Sequence, residues 1–325
     1  MGAFKEPHGG VLIDLYLGES AAEQEKMNAM DYKSWDLTDR QQCDIDLILN
    51  GAFSPLDGFM KQADYQGVLD NMRLTSRILW PIPITLDVTE EFADSLETGE
   101  WIALRDSEGV LVATMQVEEI WKPDKQEEAT KAFGTDIEEH PAVDYLMNHA
   151  NNVYLGGRLQ GVEPPMHYDY KLLRDSPQEL RGRFRKLGWR KVVAFQTRNP
   201  MHRAHYELTF RAARQLEANL LLHPVVGMTK KGDVDHFTRV RCYEKILEKY
   251  PEQTTTLSLL NLAMRMAGPR EAVWHGIIRK NYGCTHLIVG RDHAGPDKRP
   301  DGQPYYGPYE AQELFTKHEQ ELEIS

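Results

Sequence analysis

Residues 190–206 read RKVVAFQTRNPMHRAHY. An apolar run, Val192 to Phe195, stops at Gln196; Thr197, Arg198, Asn199 and Pro200 follow, then His202 and His205. Such a short apolar run bounded by polar residues predicts a strand. Pro200 fixes φ and suits a first helical turn, and Asn199 before it is a good N-cap, so a helix is predicted over 201–216. A helix start offers free N–H groups and the positive end of its dipole, which attract anions. His202 and His205 stand three apart and share one face of that turn. Thr197, Arg198 and Asn199 line the same place. The arrangement suits phosphate. No carboxylate lies in the stretch, so its theme is charge neutralisation rather than general-base chemistry. Either histidine alone would read as the edge of a capped helix, but packing would not select the polar density of the whole cluster. Zinc ranks below phosphate here, because metal-binding helical pairs are usually four apart with a glutamate nearby.

From Trp189 onward, strand and helix alternate. Strands are predicted at 219–226, 254–260 and 285–289, and helices at 236–250, 269–282 and 309–322. This rhythm argues for a parallel sheet covered by helices. Ligands then sit at the carboxyl ends of the strands, where the strand order switches. A second polar cluster, GRDHAGP at 290–296, falls at such an end. Gly290 permits a tight turn, and Arg291, Asp292 and His293 present three different polar groups. Ala294 and Gly295 are small enough for a ligand to approach the backbone N–H groups. The same residues also read as a turn with an Arg291–Asp292 surface pair. Lys230, Lys231 and Gly232 form a basic turn, either a mobile cover over phosphates or a solvated loop. Arg265 and Arg270, around Gly268-Pro269, point at an anion or at the acidic surface. Neither GxGxxG nor GxxxxGK[ST] occurs.

The first half is strand-rich, with candidates at 80–88, 101–104 and 110–120. Helices are expected at 39–49, capped by Thr38 or Asp39, and at 125–133. The length of 325 residues suggests two domains, and a boundary near PPMHYDYK divides the chain into 1–168 and 169–325. The net charge of −12 argues against a nucleic-acid surface. The three cysteines are far apart without metal spacing, which fits a reducing compartment. MGAFKEPHGG has no apolar signal core, Glu6 stands where myristoylation of Gly2 wants Ser or Thr, and no apolar run is long enough to span a bilayer. A soluble cytoplasmic protein without a membrane or nucleic-acid partner is expected.

QTRNPMHRAH at 196–205 and GRDHAGP at 290–296 together resemble the ATP sulfurylase family, most like its fungal-type members. PHGG (7–10), FSPLDGFM (53–60) and YYGPYEAQELF (305–315) carry the same resemblance. It implies a PUA-like β-barrel first domain and a Rossmann-like nucleotidyltransferase second domain. It implies a reaction of MgATP with sulfate to give adenylyl sulfate and pyrophosphate, with Mg2+ carried by ATP and no resident metal. By this resemblance sulfate contacts Gln196, Arg198 and the backbone N–H of Ala294. Thr197 and Asn199 contact nucleotide phosphates, His202 and His205 hold and neutralise phosphate oxygens, and Gly290, Arg291, Asp292 and His293 frame the adenosine. The ATP-binding set thus takes in Gln196 to Asn199 as well as 290–293, and a homo-oligomer is expected. Family members continue beyond the position of Ser325 into another strand, an Ile-Ser-Gly-Thr loop and a small subdomain, so this chain reads as C-terminally incomplete. The alternative to an enzyme is a shortened nucleotide-binding or assembly module without turnover.

Overall fold

The computed structural model describes residues 5–229, 232–296 and 298–325; Gly2, Lys230 and Lys231 lie outside the described residues. The first half winds a mixed sheet from β1 (Lys33–Asp36), β2 (Gly58–Phe59), β3 (Leu86–Val88), β4 (Trp101–Arg105), β5 (Leu111–Gln116), β6 (Glu119–Trp121) and β7 (Val153–Gly161). Its order is β1-β4-β5-β7-β2, with β3 and β6 also pairing β7. β7 is the hub because glycine lets four strands crowd it: a Cβ on Gly157 would lie 1.9 Å from the Gln116 carbonyl oxygen. Helices α1 (Glu19–Asn28), α2 (Asp39–Leu49), α3 (Gln62–Asn71), α4 (Glu90–Asp94), α5 (Lys125–Phe133) and α6 (Pro141–Asp144) belong to this half. Thr38 caps α2 in a capping box with Gln41. Two strand predictions in this half were too long, as were those at 219–226, 254–260 and 285–289 in the second, where the ladders cover Asn219–Leu222, Thr255–Leu257 and His286–Leu287. Only Leu86–Val88 of 80–88 enters a ladder, because Pro81 and Pro83 cannot donate to one. The run 110–120 breaks after Gln116, where the Val117 N–H turns to the Glu100 carbonyl.

After α7 (Pro177–Lys186), the second half lays down β8 (Val192–Phe195), α8 (Arg203–Leu216), β9 (Asn219–Leu222), α9 (His236–Leu247), β10 (Thr255–Leu257), α10 (Pro269–Asn281), β11 (His286–Leu287) and α11 (Glu310–Leu322). All neighbours in this sheet are parallel and the order is β10-β9-β8-β11. The order therefore reverses between β8 and β11, and the residues leaving those two strands face one crevice.

α10 joins the halves. Every residue from Glu271 to Asn281 is buried, so the helix has no solvent face and no amphipathic pattern. Trp274 meets Phe53 of the first half at 5.1 Å between ring centroids. The Arg181 guanidinium donates to the last carbonyls of α10, Lys280 and Asn281, at 2.6 Å each. Arg265 and Arg270 do not face an anion. Arg270 donates to the Val68 and Leu69 carbonyls at the end of α3, and Arg265 pairs with Asp44 of α2. These contacts draw both halves into one hydrophobic core. Among the described residues no helix is long and apolar enough to cross a membrane.

Candidate functional site

β8 delivers Gln196 to the switch point. The Thr197 carbonyl accepts from the Val225 N–H at 3.0 Å, and the Asn199 carbonyl accepts from Thr197 Oγ1 and from the Tyr243 hydroxyl at 2.8 Å. With its carbonyl so engaged, Asn199 stays in a loop and is not the N-cap that the Asn-Pro pair predicts. The helix starts later: His202 is the N-cap in extended conformation, Arg203 is the first helical residue, and Pro200 lies outside. His205 is then the third helical residue, and its Nδ1 accepts from the His202 N–H at 3.2 Å. That bond places the proton of neutral His205 on Nε2. The two rings stack with centroids 5.0 Å apart. Burial, then His202, lowers the His205 pKa. His205 therefore offers a neutral N–H donor at neutral pH.

Arg198 is paired. Its Nη1 lies 2.6 Å from Asp233 Oδ2, in the loop before α9. No carboxylate stands in the 196–205 stretch, yet the fold brings one to its guanidinium from 35 residues away. An incoming anion must share or displace Asp233.

On the β11 side, Asp292 and Ala294 adopt left-handed conformation, at φ 54° and 52°. For alanine this costs about 1 kcal/mol. It is held by bonds from the Asp292 N–H to the Pro308 carbonyl and from the Gly268 N–H to the Ala294 carbonyl. Backbone strain concentrates at such functional turns. Gly268 itself has φ +50°, and a Cβ there would lie 2.4 Å from the Tyr306 ring. Arg291 and Asp292 form the exposed pair that the turn reading foresees, at 3.2 Å. A cavity of about 310 Å³ opens here, lined by Gly268, Asp292, His293, Tyr305 and Tyr306. A larger cleft of about 510 Å³ lies elsewhere, against Asp14, Asp46, Asp175 and Glu179. Its acidic wall opposes an anionic ligand, so the smaller cavity is the better candidate for a nucleotide.

The two motifs meet through a residue that the sequence reading passed over. His275 of α10 has Nε2 at 3.3 Å from Gln196 Nε2 and Nδ1 at 2.9 Å from His293 Nε2. Glu271, one turn earlier on α10, places Oε1 at 3.3 Å from His275 Nε2. The signal was present: Glu271, His275 and Arg279 recur every four residues along α10, one polar stripe on a buried element. Ala294 stands next to His293 in this loop, its carbonyl held by the Gly268 N–H at 3.2 Å. Among the described residues no group of three or more His, Cys, Asp or Glu side chains could hold a metal ion.

Burial dominates the site's electrostatics. It lowers His275 and His223 well below the ordinary imidazole value, pushes His293 down to about 3, and pushes His8 and His140 down to about 4. These groups are neutral when folded, whereas the unfolded chain takes up protons near 6.5. Their contribution to stability is full above about 6.5 and is lost as the pH falls through their folded values, about 3 kcal/mol for a histidine such as His140. Burial also raises Asp44, Glu128 and Glu271, which partly offsets this at the acid end. We expect the thermal midpoint to hold between pH 8 and 7 and to fall steeply from pH 6.5 to 4.5. A flat profile in differential scanning calorimetry across that window contradicts the buried-neutral assignment.

The family model for ATP-sulfurylase matches residues 171–325, and that for a PUA-like domain matches residues 5–164. The sulfate adenylyltransferase of Mycosarcoma maydis is 56% identical over 98% of this chain and 56% of its own length. That of Eremothecium gossypii is 56% identical over 98% of this chain and 64% of its own length, and that of Saccharomyces cerevisiae 53% identical over 98% and 63%. The chain thus spans less than two thirds of the length of these curated relatives. A solved hexameric APS kinase from Thiobacillus denitrificans superposes with a TM-score of 0.78 at 32% identity, over 98% of this chain and 55% of that one.

Proposed function

This chain belongs to the ATP-sulfurylase family, and from that premise we propose that it carries the adenylyl-transfer site of a sulfate adenylyltransferase. Sulfate and MgATP are the substrates. A sulfate oxygen attacks the α-phosphorus in line, the bond from that phosphorus to the oxygen it shares with the β-phosphorus breaks, and adenylyl sulfate and pyrophosphate leave, that oxygen departing with the pyrophosphate. The observation that carries this reading is the convergence of Gln196 and His293, from the two strand ends flanking the switch point, on His275. The identity to named sulfate adenylyltransferases favours an enzyme over an assembly module.

Sulfate is already ionised at neutral pH and needs no base. It needs a site that lets two anions approach, and Arg198, Gln196 and the Ala294 N–H are suited to that. Thr197 and Asn199, in the loop before α8, and His202 and His205, at its start, face the nucleotide phosphates. Asp292 and His293 line the cavity proposed for adenosine, and Gly290 and Arg291 lead into it from the end of β11. Catalysis then rests on alignment and fixed dipoles. We place the domain boundary at about residue 168, between the two sheets, and assign the chain to a homo-oligomer, as in the hexameric structural neighbour.

The test is pyrophosphate release from MgATP with sulfate, and with molybdate in parallel, whose mixed anhydride hydrolyses and lets turnover continue. Release that depends on either oxyanion is expected. Nucleotide binding without release in both arms refutes the reading for this chain.

A further inference from the structure

The neighbours of Gln196 set which end of its amide faces the anion. As placed, Nε2 approaches His275 Nε2 at 3.3 Å, while Oε1 is buried without a hydrogen-bond partner among the described residues. This arrangement conflicts with itself. His275 Nε2 would have to be a bare acceptor for Gln196, yet the Glu271 carboxyl oxygen 3.3 Å away wants a proton from the same nitrogen. Glu271 is otherwise held as an acceptor, by the Arg265 N–H at 3.1 Å and the Ala267 N–H at 2.8 Å. Amide oxygen and nitrogen have nearly the same shape, so hydrogen bonding decides between them.

Turning the amide over removes the conflict at His275. His275 carries its proton on Nε2 and shares it between Glu271 Oε1 and Gln196 Oε1. Its Nδ1 accepts from His293 Nε2–H at 2.9 Å. The Gln196 NH2 then occupies the position that has no partner, at the end of β8 beside Arg198.

We infer that His275, oriented by Glu271, is a positioning residue that locks the Gln196 amide with its NH2 toward the anion site, and so makes the site select fully ionised tetrahedral oxyanions. This rests on the sulfate-activating reading above. Once the anion has displaced Asp233 from Arg198, a wall of donors bonds the oxygens of sulfate. It leaves the hydroxyl of hydrogen phosphate facing another donor, and a buried mismatch of that kind discriminates strongly. If the amide were free to turn, its carbonyl could accept from that hydroxyl and the discrimination would weaken.

His275→Phe keeps the ring volume and removes the N–H. In the full chain we expect it to raise the KM for sulfate about tenfold or more, to leave the KM for MgATP within about threefold, and to leave the inhibition constant of phosphate unchanged or lower. The preference for sulfate over phosphate then narrows by about tenfold. His275→Gln, which can restore a donor toward Gln196, recovers much of that preference. A wild-type chain that shows no sulfate-dependent pyrophosphate release sinks the functional reading. Wild-type turnover with an unaltered sulfate-to-phosphate preference in His275→Phe sinks this inference alone. A second readout does not depend on the variant folding: nitrogen chemical shifts of 15N-histidine-labelled wild type should show His275 neutral and protonated on Nε2, and a proton on Nδ1 overturns the assignment.

Discussion

Arg198→Ala is expected to lower sulfate-dependent pyrophosphate release by about 10³-fold or more, which corresponds to about 4 kcal/mol of transition-state stabilisation. The reason is charge. Sulfate must be brought against a polyphosphate, and in the 196–205 stretch Arg198 combines a permanent positive charge with limited exposure, its side chain being 17% accessible. Its fork of donors can serve an oxyanion on two sides, which Lys cannot reproduce, so Arg198→Lys should retain binding better than turnover. The substitution also leaves Asp233, at 8% accessibility, without its cation. A single loss of stability could therefore imitate a catalytic loss. The Arg198→Ala/Asp233→Asn double variant separates them, because it removes the orphaned charge. It should recover the thermal midpoint of the wild type and none of its turnover. Asp233→Asn alone frees Arg198, so sulfate should raise its midpoint more than it raises that of the wild type. Turnover of Arg198→Ala within tenfold of the wild type rules out the role given to this side chain.

Residues acting within their own segment were legible in the sequence. The apolar run 192–195 forms β8, and the alternation after it adds three strands to a parallel sheet whose switch point holds both polar motifs, because each element carries its own periodicity. What was not legible depends on contacts between segments. Asp233 reaches Arg198 from a different loop, and no local pattern in either stretch announces the pair. The start of α8 moved to Arg203 because the Tyr243 hydroxyl, from α9, holds the Asn199 carbonyl in a loop. His275 was hidden differently. It sits on a helix buried on all sides, where the usual contrast of polar and apolar faces is missing, and its polar stripe signals function only once His293 and Gln196 stand against it. Arg265 and Arg270 read as facing either an anion or the acidic surface because a sequence shows their charge but not their direction.

That direction gives the second large effect. Arg265→Ala should lower unfolding free energy by about 3–5 kcal/mol. The guanidinium is enclosed between the halves: it bonds Asp44 and the Ala263 carbonyl and lies over the Trp274 ring at 5.5 Å. Side-chain accessibility is 5% for Arg265 and 2% for Asp44, so water cannot replace the lost partner. The second carboxyl oxygen of Asp44 already has no partner among the described residues, and burial raises its pKa against the pull of Arg265. Without Arg265 that rise must be larger. A carboxyl whose folded pKa lies above its unfolded value costs nothing below the unfolded value, and its penalty grows as the pH climbs through the folded one. The deficit of Arg265→Ala relative to the wild type, measured by urea unfolding at each pH, should therefore be largest at pH 7 to 8 and shrink toward pH 5. Comparing the two proteins at the same pH cancels the histidine contribution they share. Asp44→Leu/Arg265→Met removes both charges and fills the space, and should be far more stable than either single change, since a buried ion pair is worth little against a packed apolar pair. A pH-independent deficit, or a double variant no better than Arg265→Ala, would show that the junction is held by the packing of Trp274 and Phe53 and that the ion pair only accompanies it.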